Sequence, residues 1–150
     1  MVWKSCFAPS VSQSMDEDEN TAIAPPSFEV FNKLVQHEQF VHEASGRTIS
    51  YGMGGDPNGS PILVFPPLSG KHRMLVMMHD DLVKASLKGI CVNRPGIHGT
   101  SPSTDAVDHV NQAIQDVLAV LDKLEIEKVG ILCMCAGTTY ALKLYTAHPE

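Results

Sequence analysis

Two cysteines stand one residue apart in Cys133-Met134-Cys135-Ala136-Gly137, between the apolar run "KVGIL" and the helical pattern "TTYALKLYTAH". A strand that turns sharply into a helix forces the central residue of the turn into strained backbone geometry. Small residues two positions away on each side relieve the crowding, which gives the pattern small-x-nucleophile-x-small. Cys133 and Gly137 fill the outer slots here, and Cys135 takes the centre. A thiol in that place meets the positive end of the helix dipole, which attracts an anion. It can attack a carbonyl carbon when a base is near. The plainer reading is a small buried residue with an inert thiol, because cysteine is among the most buried residue types. Cys133 reads as structural. No second pair of Cys or His sits at zinc spacing, so the two cysteines are not expected to hold a metal.

Seven histidines are available as bases. His98 and His72 fall in loops, and either is a candidate substitute base for Cys135; a solvated loop histidine is the plainer reading. His37, His42, His79 and His109 read as surface positions. Ser69 reads as a loop serine that satisfies local backbone groups.

The elements that must position these residues follow from periodicity. Residues 1–27, rich in Ser, Asp, Glu and Pro, read as a disordered leader. Residues 28–36 read as a short helix or an ordered lead-in. Alternation on both sides of Ser45-Gly46 predicts a hairpin, 39–44 paired with 48–53. "PILVFPP", "GICVNRPG" and "KVGILCM" are short apolar runs, as expected of strands buried on both faces of a parallel sheet. Between and after them, 72–87, 108–126 and 138–148 have helical spacing. The second of these carries the stripe Val110, Ile114, Val117, Leu118, Leu121 and Leu124, with Asp105 or Asp108 placed to cap it. A hairpin followed by β-α-β-α-β-α predicts an α/β domain with a mostly parallel sheet. In such sheets ligands bind at the carboxyl ends of the strands, here near Phe65, Asn93 and Cys135.

A chain of 150 residues fits one domain. Net charge is −6 with no Lys/Arg cluster, which argues against a nucleic-acid partner. No apolar run is long enough for a membrane span, and the N-terminus lacks a signal-peptide pattern. Cys6, Cys91, Cys133 and Cys135 are therefore expected as thiols in a cytoplasmic protein. "PPLSGKHR" has one glycine and two prolines, a poor phosphate cradle. Gly52-Met53-Gly54-Gly55 is not followed by a helical pattern, so it fails as a dinucleotide loop.

Three stretches together resemble the N-terminal half of an α/β-hydrolase. "PILVFPPLSGKHRM" resembles the family's strand and oxyanion loop, "NRPGIHGTSP" its "DRPGxGxSxP" loop, and "VGILCMCAGTTYALKLYTAHPE" its nucleophile elbow and following helix. The match runs over about 39–150. It implies a partial α/β-hydrolase fold over 28–150, with Cys135 at the nucleophile position and the amide N–H groups of Leu68 and Ala136 as oxyanion donors. Serine is usual at the nucleophile position; the cysteine is similar to that of dienelactone hydrolases. Pro66-Pro67 replace the family's His-Gly and have no N–H to donate. Asn93 stands where Asp is common, and His98 where Gly is common. In family order the acid and the histidine follow the nucleophile, so the resemblance implies a domain truncated after the elbow helix, without those two. The implied function is hydrolysis of an ester, lactone or related acyl bond on a small-molecule substrate, with no cofactor. The alternative is a non-catalytic relative that binds a small molecule or a protein and self-associates through an exposed sheet edge.

Overall fold

In a computed structural model of the chain, residues 28–104 and 107–148 are described, with the side chains of Phe28, Val30 and Phe31 excepted. The expected leader at 1–27, Cys6 and the expected cap Asp105 lie outside the described residues. The elements are α1 (Phe28–Leu34), β1 (Val35–His42), β2 (Arg47–Gly55), β3 (Ser60–Phe65), α2 (Leu75–Lys84), β4 (Leu87–Val92), α3 (His109–Lys123), β5 (Gly130–Cys133) and α4 (Gly137–Ala147). A single 3-10 turn, His72–Met74, leads into α2.

The strands form one sheet in the order β1-β2-β4-β3-β5. β2 runs antiparallel to both β1 and β4, while β3 is parallel to β4 and to β5. Only β2 therefore opposes the common direction, and the carboxyl ends of β3, β4 and β5 share one edge. The hairpin is longer than its alternation predicts, pairing Val35 with Gly54 through to His42 with Arg47.

Alternation along the strands splits the core into two layers. Leu63, Phe65, Ile90 and Val92 pack with Ile114, Val117 and Val120 of α3 and with Tyr140, Ala141 and Leu144 of α4. Val64 and Cys91 point the other way, onto Leu75 and Leu82 of α2. The predicted stripe of α3 buries Ile114, Val117 and Leu121 and half-buries Val110, Leu118 and Leu124. Asp108 sits at the N-cap of α3 without a side-chain capping bond; its carboxylate accepts from the Asn111 side chain instead. β5 is less buried than its apolar run predicts. Gly130 and Ile131 are exposed, because β5 is an edge strand among the described residues and has a neighbour only at β3.

Among the described residues, one buried ion pair ties the sheet to α3. Arg47, at the start of β2, donates from Nε to Asp116 Oδ1 (3.0 Å) and from Nη2 to Oδ2 (2.9 Å) on α3. Its Nη1 and Nη2 also donate to the carbonyls of Pro102 (2.7 Å) and Ser101 (2.8 Å) in the loop after β4.

Candidate functional site

Cys135 follows the end of β5 with a φ of +51°, left-handed backbone that a side-chain-bearing residue rarely adopts. Its thiol is exposed, while Cys133 is half-buried and Cys91 fully buried. Burial pushes the Cys91 thiol up to about 12, against a smaller opposing pull from Arg94. The turn is tight because its far side is pressed against the end of β3. A Cβ on Gly137 would come within 2.3 Å of the Phe65 carbonyl oxygen and 2.8 Å of that of Pro66. Glycine is thus required there by close approach. The Met134 amide donates to the Phe65 carbonyl at 3.0 Å, and the Thr138 amide returns to the Cys135 carbonyl at 3.0 Å. The elbow and the root of the Pro66–Gly70 loop are therefore one packed unit.

Arg94 fixes the shape of that loop. Its Nη2 donates to the carbonyls of Pro67 (2.6 Å), Leu68 and Gly70 (3.3 Å). Its guanidinium lies 5.5 Å from the Tyr140 ring centroid on α4. Among the described residues Nη1 of Arg94 is buried without a partner, beside a cavity of about 10 Å³ between Phe65, Val92, Val117 and Tyr140. With the loop carbonyls turned to Arg94, Leu68 is left with an exposed side chain. Among the described residues, neither the Leu68 amide nor the Ala136 amide donates to a backbone carbonyl.

His72 and His98 are brought together, and with each other rather than with Cys135. His72 is buried, its ring lying over Gly52 of β2, where a Cβ would be 2.8 Å from its Cδ2. Asn93 holds it: Oδ1 accepts from the His72 backbone amide (3.0 Å), while Nδ2 donates to Ser50 Oγ (2.7 Å). Ser50 Oγ in turn donates to the His98 carbonyl at 2.7 Å. His98 has a φ of +44°, left-handed backbone that a residue with a side chain rarely adopts. Burial lowers the pKa of His72 to about 4, helped by His37, His98 and Arg73 and opposed by the Asn93 hydrogen bond. Burial, His37, Arg73 and Lys71 lower that of His98. The His72 ring lies over β2, which is three strands from β5 in the sheet, roughly 14 Å at about 4.8 Å per strand. Among the described residues, no imidazole or carboxylate hydrogen-bonds the Cys135 thiol.

Two participants were not legible locally. His37, which reads as a surface position, is the register partner of Gly52 and stacks on His72 with ring centroids 4.6 Å apart. Arg94 finds its carbonyls more than 20 residues back in the chain. The predicted hairpin began at 39, so nothing in the sequence marked His37.

No family model matches this sequence, and no curated protein matches it. Solved structures do resemble the fold. A Vigna radiata epoxide hydrolase mutant superposes with a TM-score of 0.67 at 16% identity, over 79% of this chain and 36% of its own. Epoxide Hydrolase A from Mycobacterium thermoresistibile gives 0.66 at 14% identity, over 77% and 36%. Cfl2 from Burkholderia cenocepacia gives 0.62 at 14% identity, over 78% and 38%. The chain thus spans little more than a third of the length of these structures. Epoxide hydrolases are members of the α/β-hydrolase fold, and over its described residues this chain has part of that fold. No helix among the described residues is long and apolar enough to cross a membrane.

Proposed function

We infer that this chain is the nucleophile-bearing part of a thiol-dependent acyl hydrolase acting on an ester or lactone. The observation that carries this reading is Cys135 itself. An exposed thiol sits on left-handed, non-glycine backbone at a strand-to-helix turn, and backbone strain of this kind gathers at functional sites.

In this reading the Cys135 thiolate attacks the acyl carbon and the carbonyl oxygen becomes an oxyanion. The Leu68 and Ala136 amides, which lack backbone acceptors among the described residues, donate to it. The C–O bond then breaks, the alkoxide takes a proton from solvent, and the acyl group remains on Sγ as a thioester. Water attacks the thioester, releasing the acid and restoring the thiol. Acylation can proceed slowly without a base, since the cysteine side chain is an intrinsically strong nucleophile. His72 and His98, the candidate substitute bases, would have to cross from β2 to serve the second step, because direct proton transfer needs about 2.6–3.2 Å.

The neighbours named as epoxide hydrolases raise the question of an epoxide substrate. Thiolate chemistry favours the acyl reading. A thiolate that opened an epoxide would form a thioether, which water does not cleave, whereas a thioester is hydrolysed.

The test compares each cysteine with itself. Iodoacetamide labelling is followed by peptide mapping in the folded chain and in the urea-unfolded chain at the same pH. The reading predicts that folding accelerates labelling of Cys135 and suppresses that of Cys91. Labelling of Cys135 no faster in the folded than in the unfolded chain would sink it, since mere exposure is then enough.

A further inference from the structure

We propose that His37, His72 and His98 form a three-imidazole binding site for a divalent transition-metal ion, with zinc the ion that the donor set suits. The three residues come from separate elements: β1, the turn before α2, and the loop after β4. Their ligand nitrogens all lie within 4.8 Å of one another. The ring centroids form a compact triangle, 4.6 Å from His37 to His72, 4.7 Å from His72 to His98 and 5.3 Å from His37 to His98. They border a hollow of about 50 Å³ shared with Asn32, Val35 and Arg73.

The surroundings are those a metal site needs. The Asn93 side-chain amide holds His72 Nδ1, with Nδ2 at 2.9 Å and Oδ1 at 3.2 Å. When Nδ1–H donates to Oδ1, the lone pair of Nε2 is free for an ion. Such an outer contact fixes the tautomer and the ring plane of metal-bound histidines. Asn93 is itself fixed by Ser50, and Ser50 also grips the His98 carbonyl. Two of the three ligands are therefore oriented by one buried network. His37 is exposed and free to adjust. Nitrogens bound tetrahedrally at about 2.0–2.1 Å lie roughly 3.4 Å apart, so the widest pair has about 1.4 Å to close. The fourth position stays open to water or an outside ligand.

Charge decides which kind of ion. Arg73 borders the same hollow and Lys71 adjoins it in the chain, and no carboxylate is in the cluster. Calcium and magnesium, which need oxygen ligands, have nothing to hold them. Zinc is among the ions that imidazole nitrogens suit.

The experiment titrates CoCl2 into the untagged 150-residue chain under a non-coordinating reductant, follows the visible d–d bands, and then displaces cobalt with ZnCl2. The expected result is one cobalt per chain with tetrahedral-type bands and no sulfur-to-cobalt charge-transfer band, lost on adding zinc. His37→Gln and His98→Asn should each weaken binding by more than the roughly 10–100-fold that loss of an outer-shell partner costs. Asparagine is chosen at 98 because it tolerates left-handed backbone, and 37 is an exposed position, so circular dichroism should report both variants folded. Three results would overturn the proposal: no saturable binding, a sulfur-to-cobalt band that places the ion on cysteine, or affinity unchanged in both folded variants.

Discussion

Replacing Gly137 by alanine sets two opposed effects against each other at the elbow. Alanine is the better helix former, by up to about 1 kcal/mol in a helix interior, and Gly137 opens α4. On propensity alone the substitution stabilises. The added Cβ, however, would stand 2.3 Å from the Phe65 carbonyl oxygen and 2.8 Å from both the Phe65 carbonyl carbon and the Pro66 carbonyl oxygen. That is roughly 1 Å inside an ordinary C···O contact of about 3.3 Å. The obstructing atoms are backbone, at the end of β3, so no side chain can swing aside. Overpacking of this kind costs about 1–3 kcal/mol, more than the first turn of a helix recovers. The expected net effect is a loss of about 1–2 kcal/mol in urea unfolding, seen as a lower midpoint at unchanged slope. Because Cys135 lies two residues away, its folded-state labelling rate should fall as well. Gly130→Ala is the control: its nearest heavy-atom contact would be 3.5 Å, in the ordinary range, on the exposed edge strand, and its effect should stay within about 0.5 kcal/mol. A Gly137→Ala chain as stable as its parent, or more so, would refute the claim that close packing against β3 builds the elbow.

Two further outcomes follow from buried charge. Asp116→Ala should cost about 3–5 kcal/mol in urea unfolding, because it strands the Arg47 guanidinium in the core; a loss below about 1 kcal/mol would mean that the guanidinium is satisfied by the Ser101 and Pro102 carbonyls alone. Stability should also fall in acid. The folded state holds His72 at about 4 against an ordinary 6.5, so between those values the unfolded chain binds more protons and stability rises with pH. The contribution is fully present above pH 6.5 and is lost as pH drops toward 4. At about 1.4 kcal/mol per pH unit it amounts to roughly 3 kcal/mol at most, reduced by whatever water reaches the hollow. Urea midpoints at pH 7.5 and 5 should differ in the parent and differ less in His72→Gln; equal midpoints in the parent would contradict it.

What could be read in advance was what neighbours in sequence impose on one another. The elbow is such a case, since small residues at fixed offsets around Cys135 are a steric requirement of the turn. The stripe of α3 is another. β5 was harder: its apolar run reads as buried on both faces, an open edge was expected only from the resemblance, and strand order among the described residues leaves Ile131 exposed. Asp116 lies one position from the apolar Val117, and nothing local announces a partner 69 residues away. His37 illustrates the same limit. It lies ahead of the strand predicted at 39–44, and its meeting with His72 depends on the register that puts Gly52 opposite it. The oxyanion loop was found by resemblance, while its restraint by Arg94 became visible only when β3 and β4 were seen side by side.

Acylation of Cys135 is the claim on which the functional reading stands. The direct measurement incubates the folded chain with 4-nitrophenyl acetate and reads intact mass and tryptic peptides at short times, beside Cys135→Ala and the urea-unfolded parent. The account predicts one acetyl group per chain, on Cys135, appearing faster than on any thiol of the unfolded chain and absent from the variant. Acetyl groups spread over lysines and thiols alike, or a Cys135 acetylated no faster than when unfolded, would contradict it.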